Sequence, residues 1–380
     1  MSHHHVITVS IFVFVAFFLI LPGNDVVDVA SKASESRTRR CDLFSGKWVF
    51  DNITDRLYDG KKCSFNEVKF VCLNDTHLKW RWQPHECDLP RFDGAAFLEK
   101  VRGKKVVLVG DSLSRNQWRS LLCMIEPFLP PGTNKTLILE GNFIFFHSSE
   151  YNATIGFHWA PVLVESNNDD LGDHQTFPGI FRVKSIEKHG RQWLDSDVLI
   201  FDSYAWWTTH SFLVSWGSSD GPHSTHEQIN NTLRVFEMAL NSWSDWMEMH
   251  FNGTKTKVFF MSPSPFSKLN KTYNVYGTDA GCGEMREPIP DEDYWPSGVD
   301  KGMMRMVESV IDKLGERGVK VEYLNVTRLS GYREDAHSSN KVIGWVNWKG
   351  SKRYSDCLHW CLPGVPDVWN RILYHYIMRL

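Results

Sequence analysis

Four short apolar runs do most to limit what this chain can fold into. They are "KVVLVG" at 105–110, "DVLIFDS" at 197–203, "KVFFMSPS" at 257–264 and "VKVEYLN" at 319–325. Each has about the length of one strand, and none alternates cleanly between apolar and polar. A strand that is apolar on both of its faces belongs in a sheet covered on both sides, which is the habit of parallel sheets. Helical patterns separate the runs, at 115–125, 229–251 and 301–315, and the chain closes on the amphipathic "VPDVWNRILYHYIMRL". In the third helix Met303, Val307, Val310, Ile311 and Leu314 form one apolar face. Strand and helix in alternation predict an α/β fold of three layers with a central, mostly parallel sheet. In such sheets, sites form beyond the carboxyl ends of the strands. The long stretch from 262 to 298, rich in Gly and Pro, reads as a functional loop.

The N-terminal part reads differently. Residues 6–21, "VITVSIFVFVAFFLIL", carry no charge, in a run slightly shorter than the ~20 residues that cross an average bilayer. Two readings compete, a cleaved signal peptide and an uncleaved signal anchor. The absence of a small-residue cleavage site directly after the run favours the anchor. The expected organisation is a short N-terminal region and anchor helix over 1–22, a stem over 23–40 and a compact cysteine-rich subdomain over 41–93. The α/β domain then fills 94–380.

Eight cysteines, Cys41, Cys63, Cys72, Cys87, Cys123, Cys282, Cys357 and Cys361, suit disulfides in a secretory compartment, with the pairing left open by their spacing. Eight N-x-Ser/Thr sequons, at Asn52, Asn74, Asn134, Asn152, Asn230, Asn252, Asn270 and Asn325, point the same way. The net charge of −3 gives no basic field over the whole chain and argues against nucleic acid as the main partner.

Gly110-Asp111-Ser112 ends the first of the four runs just before a helix. A serine there is a candidate nucleophile, because the amides of a helix start can steady a developing negative charge, but it needs a base. Among 16 histidines one context stands out, "YSDCLHWCLPGVPDVW" at 354–369. Asp356 and His359, three residues apart, fall on one side of a helical turn or tight loop, so the carboxylate can orient the imidazole. Cys357 and Cys361 can fix that loop through disulfides. Their spacing with His359 does not match common zinc sites, and no metal is expected.

GDS after the first core strand, paired with D-x-x-H near the C-terminus, resembles the SGNH/GDSL esterase superfamily. The stretches "CDLFSGKWVFDN", "WRWQPHECDLPRFDG", "VGDSLSRNQW", "EYNATIGFHWAP" and "DCLHWCLPGVPDVWN" are similar to the plant trichome-birefringence-like family of polysaccharide O-acetyltransferases. The stretch "EYNATIGFHWAPVLVESNND" with "IEKHGRQW" is most like its xylan-acetylating branch.

The resemblance implies an SGNH-like fold and a single-pass type II protein of the Golgi membrane with its catalytic domain in the lumen. It also implies transfer of acetyl groups to O-2 or O-3 of xylosyl residues through an acetyl-serine. The implied partners are xylan as acceptor and an acetyl donor such as acetyl-CoA as co-substrate, with no tightly bound cofactor. Ser112 would be the nucleophile, His359 the base and Asp356 its orienting partner.

Asp111, Arg115, Asn152, Asp202, Trp206 and Trp207 are candidates for the oxyanion and substrate contacts. Trp345, Trp348 and Trp360 are weaker candidates for a sugar face, since most tryptophans pack in cores. Two positions depart from the family pattern. Asp202 stands where asparagine is common, so that an ionised side chain there would repel the oxyanion. Pro265, in "MSPSP", stands where histidine is usual. The alternatives are an acetyl esterase on acetylated polysaccharide, an acetyltransferase for another wall polysaccharide, and a non-catalytic polysaccharide-binding protein.

Overall fold

The computed structural model describes residues 41–51, 56–72, 75–170, 179–209, 211–216, 226–229, 231–266, 276–277, 286–341 and 354–379. The apolar run 6–21, the stem, Cys282, Trp345, Trp348 and the sequons at Asn52, Asn74, Asn230 and Asn270 lie outside these residues. Among the described residues no helix is long and apolar enough to cross a membrane.

All four apolar runs are strands of one seven-stranded sheet. Its spatial order is Val321–Leu324, Lys257–Met261, Val198–Asp202, Lys105–Gly110, Ala153–Trp159, Phe143–Ser148 and Ile138–Glu140. The first five run parallel, and the last two add an antiparallel edge. Every residue of Val198–Asp202 is buried, and so are Val106 to Gly110. Successive side chains point to opposite faces, so both faces are covered. On one side Trp118, from the helix Ser112–Ile125, stacks on Phe157. The helices Ser112–Ile125, Gly94–Lys100 and Val365–Met378 pack together as one group. The helices Thr232–Phe251 and Lys301–Glu316 form a second, in which Trp243 meets Phe201 and Phe260 edge-on. The α/β class with a central, mostly parallel sheet is therefore as the sequence implies.

Helix starts follow their capping residues. The predicted helix over 115–125 begins earlier, at Ser112, because the Asp111 carboxylate caps it. Asn231 and Asp300 cap the helices Thr232–Phe251 and Lys301–Glu316 in the same way.

The N-terminal part is rich in disulfides, as the sequence implies, and two of them tie it to the rest of the chain. Residues Asp42–Leu380 form one compact unit. Cys63 is bonded to Cys123 and Cys72 to Cys361, so both staples leave the N-terminal segment for the half that carries Ser112 and His359. Cys41, Cys87 and Cys357 are disulfide-bonded as well. A two-stranded antiparallel sheet, Gly46–Phe50 with Trp80–Pro84, completes this part. Trp48 donates to Leu329 O at 2.8 Å, and Arg333 lies 4.2 Å from the Trp48 ring centroid.

Candidate active site

The site forms where the central strands end. Gly110 pairs in register with Asp202 on one side and Trp159 on the other. Its φ is +153°, and a Cβ there would lie 1.8 Å from Asp202 O. Only glycine lets the two strands approach this closely. The next residue, Asp111, is fully buried and spends its carboxylate on backbone amides: Leu113 N at 2.9 Å and Ala205 N at 3.1 Å, with Trp206 N contributing too. It thus ties the start of the Ser112 helix to the loop after Val198–Asp202. Burial pushes its pKa up to about 6, against the pull of those amides and of nearby His359. Ser112 follows as the first helical residue, at the positive end of the helix dipole.

His359 comes from the strand Tyr354–Trp360, and its Nε2 lies 2.7 Å from Ser112 Oγ. Its Nδ1 lies 2.8 Å from Asp356 Oδ2. A carboxylate only accepts, so Nδ1 carries the hydrogen and Nε2 is left to accept the serine proton. The side chain of Asp356 is 1% exposed and that of His359 12%. The D-x-x-H pair sits on neither a helical turn nor a connecting loop, but in a turn inside a strand. Ser338 faces Asp356 while His337 faces Trp360, so the pairing slips and residues 357–359 bulge out. Asp356 Oδ1 takes the freed amides of Leu358 at 3.1 Å and His359 at 3.0 Å. One carboxylate both folds the turn and orients the imidazole.

Three further side chains hold this arrangement. Asn116, one turn beyond Ser112 and fully buried, accepts from Trp360 N at 2.9 Å and donates to Trp360 O at 3.3 Å. His337, stacked 4.0 Å from Trp360, donates through Nδ1 to His359 O at 3.0 Å, and burial pulls its pKa down to about 4, so it is neutral. Phe70 packs its ring 5.6 Å from that of His359, and its carbonyl accepts from Leu362 N at 2.8 Å. Asn116 had a signal in the sequence, a polar residue on a helix face otherwise turned to the core. Phe70 and Glu67 had none, because only the folded chain brings them near Ser112.

The other sequence candidates divide. Asp202 lies at the site, 2% exposed, and burial together with the Asp111 charge pushes its pKa well above the usual carboxylate range. The Asp111 charge beside it favours a protonated Asp202 over an ionised one. Arg115 points to Glu67, with Nη2 to Oε1 at 2.6 Å.

Trp206 meets Asp111 through its backbone. Its buried ring meets Trp159 edge-on at 5.5 Å. Trp207, 1% exposed, donates to Ser203 Oγ and packs among Phe181, Phe212 and Phe236, so it belongs to the core. Trp360 is core too, donating to Ser264 Oγ at 2.9 Å.

Asn152 is not part of the site. It is exposed, in a turn that precedes the strand Ala153–Trp159, at the opposite end of the sheet from Ser112. Six residues of parallel strand separate the two ends, roughly 20 Å. Pro265 lines a crevice of about 10 Å³ with Phe266, His337 and Trp360, room for one water at most. Among the described residues no group of three or more His, Cys, Asp or Glu side chains is placed to hold a metal ion.

Comparison with known proteins agrees with this geometry. Residues 89–376 match the GDSL/SGNH-like acyl-esterase family found in Pmr5 and Cas1p, and residues 39–88 match the PMR5 N-terminal domain. The chain is 43% identical to protein trichome birefringence-like 34 of Arabidopsis thaliana over 90% of this chain and 85% of that protein. It is 41% identical to xylan O-acetyltransferase 14 of Oryza sativa subsp. japonica, over 91% of this chain and 79% of that one. It is 39% identical to xylan O-acetyltransferase 12 of the same rice, over 94% and 74%. A sheet whose central strand ends in Gly-Asp-Ser, with a strand-borne histidine and aspartate closing on that serine, is what such an enzyme needs, and the chain belongs to the GDSL/SGNH-like acyl-esterase family.

Proposed function

We propose that this chain is a xylan O-acetyltransferase working through an acetyl-serine. The observation that carries the reading is the continuous relay from Ser112 Oγ through His359 to Asp356, at 2.7 and 2.8 Å. Likeness to proteins named for xylan O-acetylation supports the acceptor. His359 Nε2 takes the serine proton as Ser112 Oγ bonds the acetyl carbon of a donor. Asp356 stabilises the imidazolium. The Ser112 amide, at the helix start, is the donor offered to the developing oxyanion. The donor's leaving group departs with the proton held by His359. A xylosyl hydroxyl then gives its proton to His359, bonds the acetyl carbon and frees the serine. The apolar run 6–21, the sequons and the disulfides support anchorage in a Golgi membrane with this domain in the lumen.

The test is acetyl transfer to unacetylated xylo-oligosaccharides by the glycosylated protein, read by mass spectrometry. Wild type adds acetyl groups to the sugar, and a peptide containing Ser112 gains one acetyl when the acceptor is withheld. Ser112→Ala loses both signals. Retention of transfer by that variant refutes the acetyl-serine. Release of free acetate from acetylated xylan, without transfer, assigns the esterase reading that the family description also allows.

A further inference from the structure

Two stretches of the chain have no part in the relay: the one that runs through the strand Ala153–Trp159 to Asp169, and "IEKHGRQW" at 186–193. The fold brings them together next to the strand that leads to Ser112. Past Trp159 the chain turns at once. Ala160 N donates to Gly110 O at 3.0 Å, two residues before Ser112, and Pro161 O accepts from Ser203 Oγ at 2.8 Å, one residue after Asp202. Leu163 N donates back to Ala160 O at 3.1 Å. Val164 N donates to Val162 O at 2.8 Å around Leu163, whose φ is +67°. That is the γ-turn of positive φ, rare and strained for a residue with a side chain. Such a turn persists only where its surroundings hold it.

His189 does the holding. Its Nδ1 lies 2.9 Å from Leu163 O and its Nε2 3.0 Å from Asp169 Oδ2. A carbonyl and a carboxylate only accept, so both ring nitrogens carry hydrogen and the buried ring is an imidazolium. Ser166 fixes Asp169 in turn, through its amide at 3.0 Å and its Oγ at 2.9 Å. Although burial opposes it, Asp169 raises the His189 pKa above its ordinary value, and Leu163 O and Glu165 add to this. On the other side His158 packs edge-on at 5.3 Å. Burial pulls the His158 pKa well down, helped by His189, Lys105 and Lys188, so that ring is neutral and accepts from Trp193 Nε1. Three hydrogen bonds thus run in series from His189 through Leu163 and Ala160 to Gly110. We propose that His189 is a positioning residue for Ser112: clamped by Asp169, it keeps the strained turn closed on Gly110 and so sets where the serine stands. This rests on the reading of Ser112 as the nucleophile. Above the His189 pKa one proton leaves. The hydrogen that stays is the one facing the carboxylate, so Leu163 O loses its donor and the turn relaxes.

The experiment follows two reactions of the glycosylated full chain across pH: labelling of Ser112 by a fluorophosphonate, and acetyl transfer from acetyl-CoA to xylo-oligosaccharide. Each is read as a maximal rate per folded molecule and a half-saturating concentration. His189→Gln offers one amide donor where the imidazolium offers two. It is expected to lower the maximal rates by roughly ten- to a hundredfold, the usual effect of a misplacement on the order of 1 Å, and to leave the half-saturating concentrations nearly unchanged. Asp169→Asn keeps the shape of the carboxyl but removes its charge, so the imidazolium gives up its proton at lower pH. The alkaline fall in both rates then moves down by roughly one to three pH units.

That shift, together with lower maximal rates in His189→Gln, supports the clamp. Unchanged rates in His189→Gln overturn it, and so does a loss confined to the half-saturating concentrations. An Asp169→Asn variant that loses rate equally at every pH also overturns it, since that is what a merely structural pair would do. If His189→Gln does not fold, the pH profile of Asp169→Asn decides alone. Failure of the wild type to take the fluorophosphonate at Ser112 overturns the nucleophile reading instead, and the proposal with it.

Discussion

Replacing Asn116 by leucine tests whether the two halves of the relay are held in register by a single side chain. Asn116 accepts from Trp360 N and donates to Trp360 O, at 2.9 and 3.3 Å, and it is fully buried. Leucine fills similar space but leaves a backbone N–H and C=O of a residue 1% exposed without partners. An orphaned buried group costs about 1–3 kcal/mol, and the longer bond to the carbonyl was the weaker, so the two together come to roughly 3 kcal/mol. The catalytic cost is separate. Ser112 lies one helical turn from Asn116, and His359 is bonded in sequence to Trp360. A shift of about 1 Å between the two elements breaks the 2.7 Å contact and costs on the order of a hundredfold in kcat.

The assay pairs denaturant unfolding with kcat per folded molecule, at saturating donor and acceptor. Asn116→Asp serves as the intermediate case, since it keeps the acceptor for Trp360 N and loses only the donor. Lower stability in Asn116→Leu with kcat unchanged refutes the positioning argument. Unchanged stability refutes the hydrogen-bond argument beneath it.

Three other outcomes follow from the same geometry. Gly110→Ala sets a Cβ against backbone, 1.8 Å from Asp202 O, so little or no folded protein is expected in a circular-dichroism melt; a normal melt refutes the close approach. Removing Cys72–Cys361, which spans 289 residues, costs more stability than removing Cys63–Cys123, which spans 60. Loop entropy gives about 6 and about 4 kcal/mol respectively, and the reverse order in denaturant midpoints counts against that account. Asp202→Asn is more stable than wild type at pH 8 and no different near pH 4. Folded Asp202 keeps its proton to a higher pH than the unfolded chain does, so stability falls as pH rises above about 4, and asparagine removes that fall. A variant less stable than wild type at pH 8 refutes the protonated Asp202.

The sequence revealed most where burial on both faces wrote itself into composition. Lys105–Gly110 and Val198–Asp202 are unbroken apolar runs because helices cover each face. Ala153–Trp159, their parallel neighbour, was hidden by polar residues that the fold satisfies internally. Buried His158, for example, accepts from Trp193 Nε1 at 3.0 Å and so costs the core little. Ser112, Asp356 and His359 were legible from motif and spacing, but the local form of the D-x-x-H turn was not. The slip of one strand against another makes that turn, and the information for it lies in both. Trp207 and Trp360 went to the core, as large rings usually do. Asn152 was misplaced because a motif near a strand does not say which end of the strand it occupies.

The same physics bears on where one part of this chain ends and another begins. The two family matches meet at residues 88 and 89, yet the site straddles that line. Glu67 holds Arg115, and Phe70 backs His359. His77 Nε2 donates to Pro363 O at 3.0 Å. Tyr58 and Ser120 both donate to Asp367, whose burial pushes its pKa up to about 6. These partners come from the N-terminal segment on one side and from the Ser112 and His359 elements on the other. Removing the segment would leave buried polar groups and a hydrophobic wall open to water, at a cost several times that of any single contact. Residues 63–72 are therefore a clasp. Fixed at Cys63 and Cys72, they bridge the Ser112 helix and the chain after His359, and a catalytic half cut free of them would lose the wall behind its base.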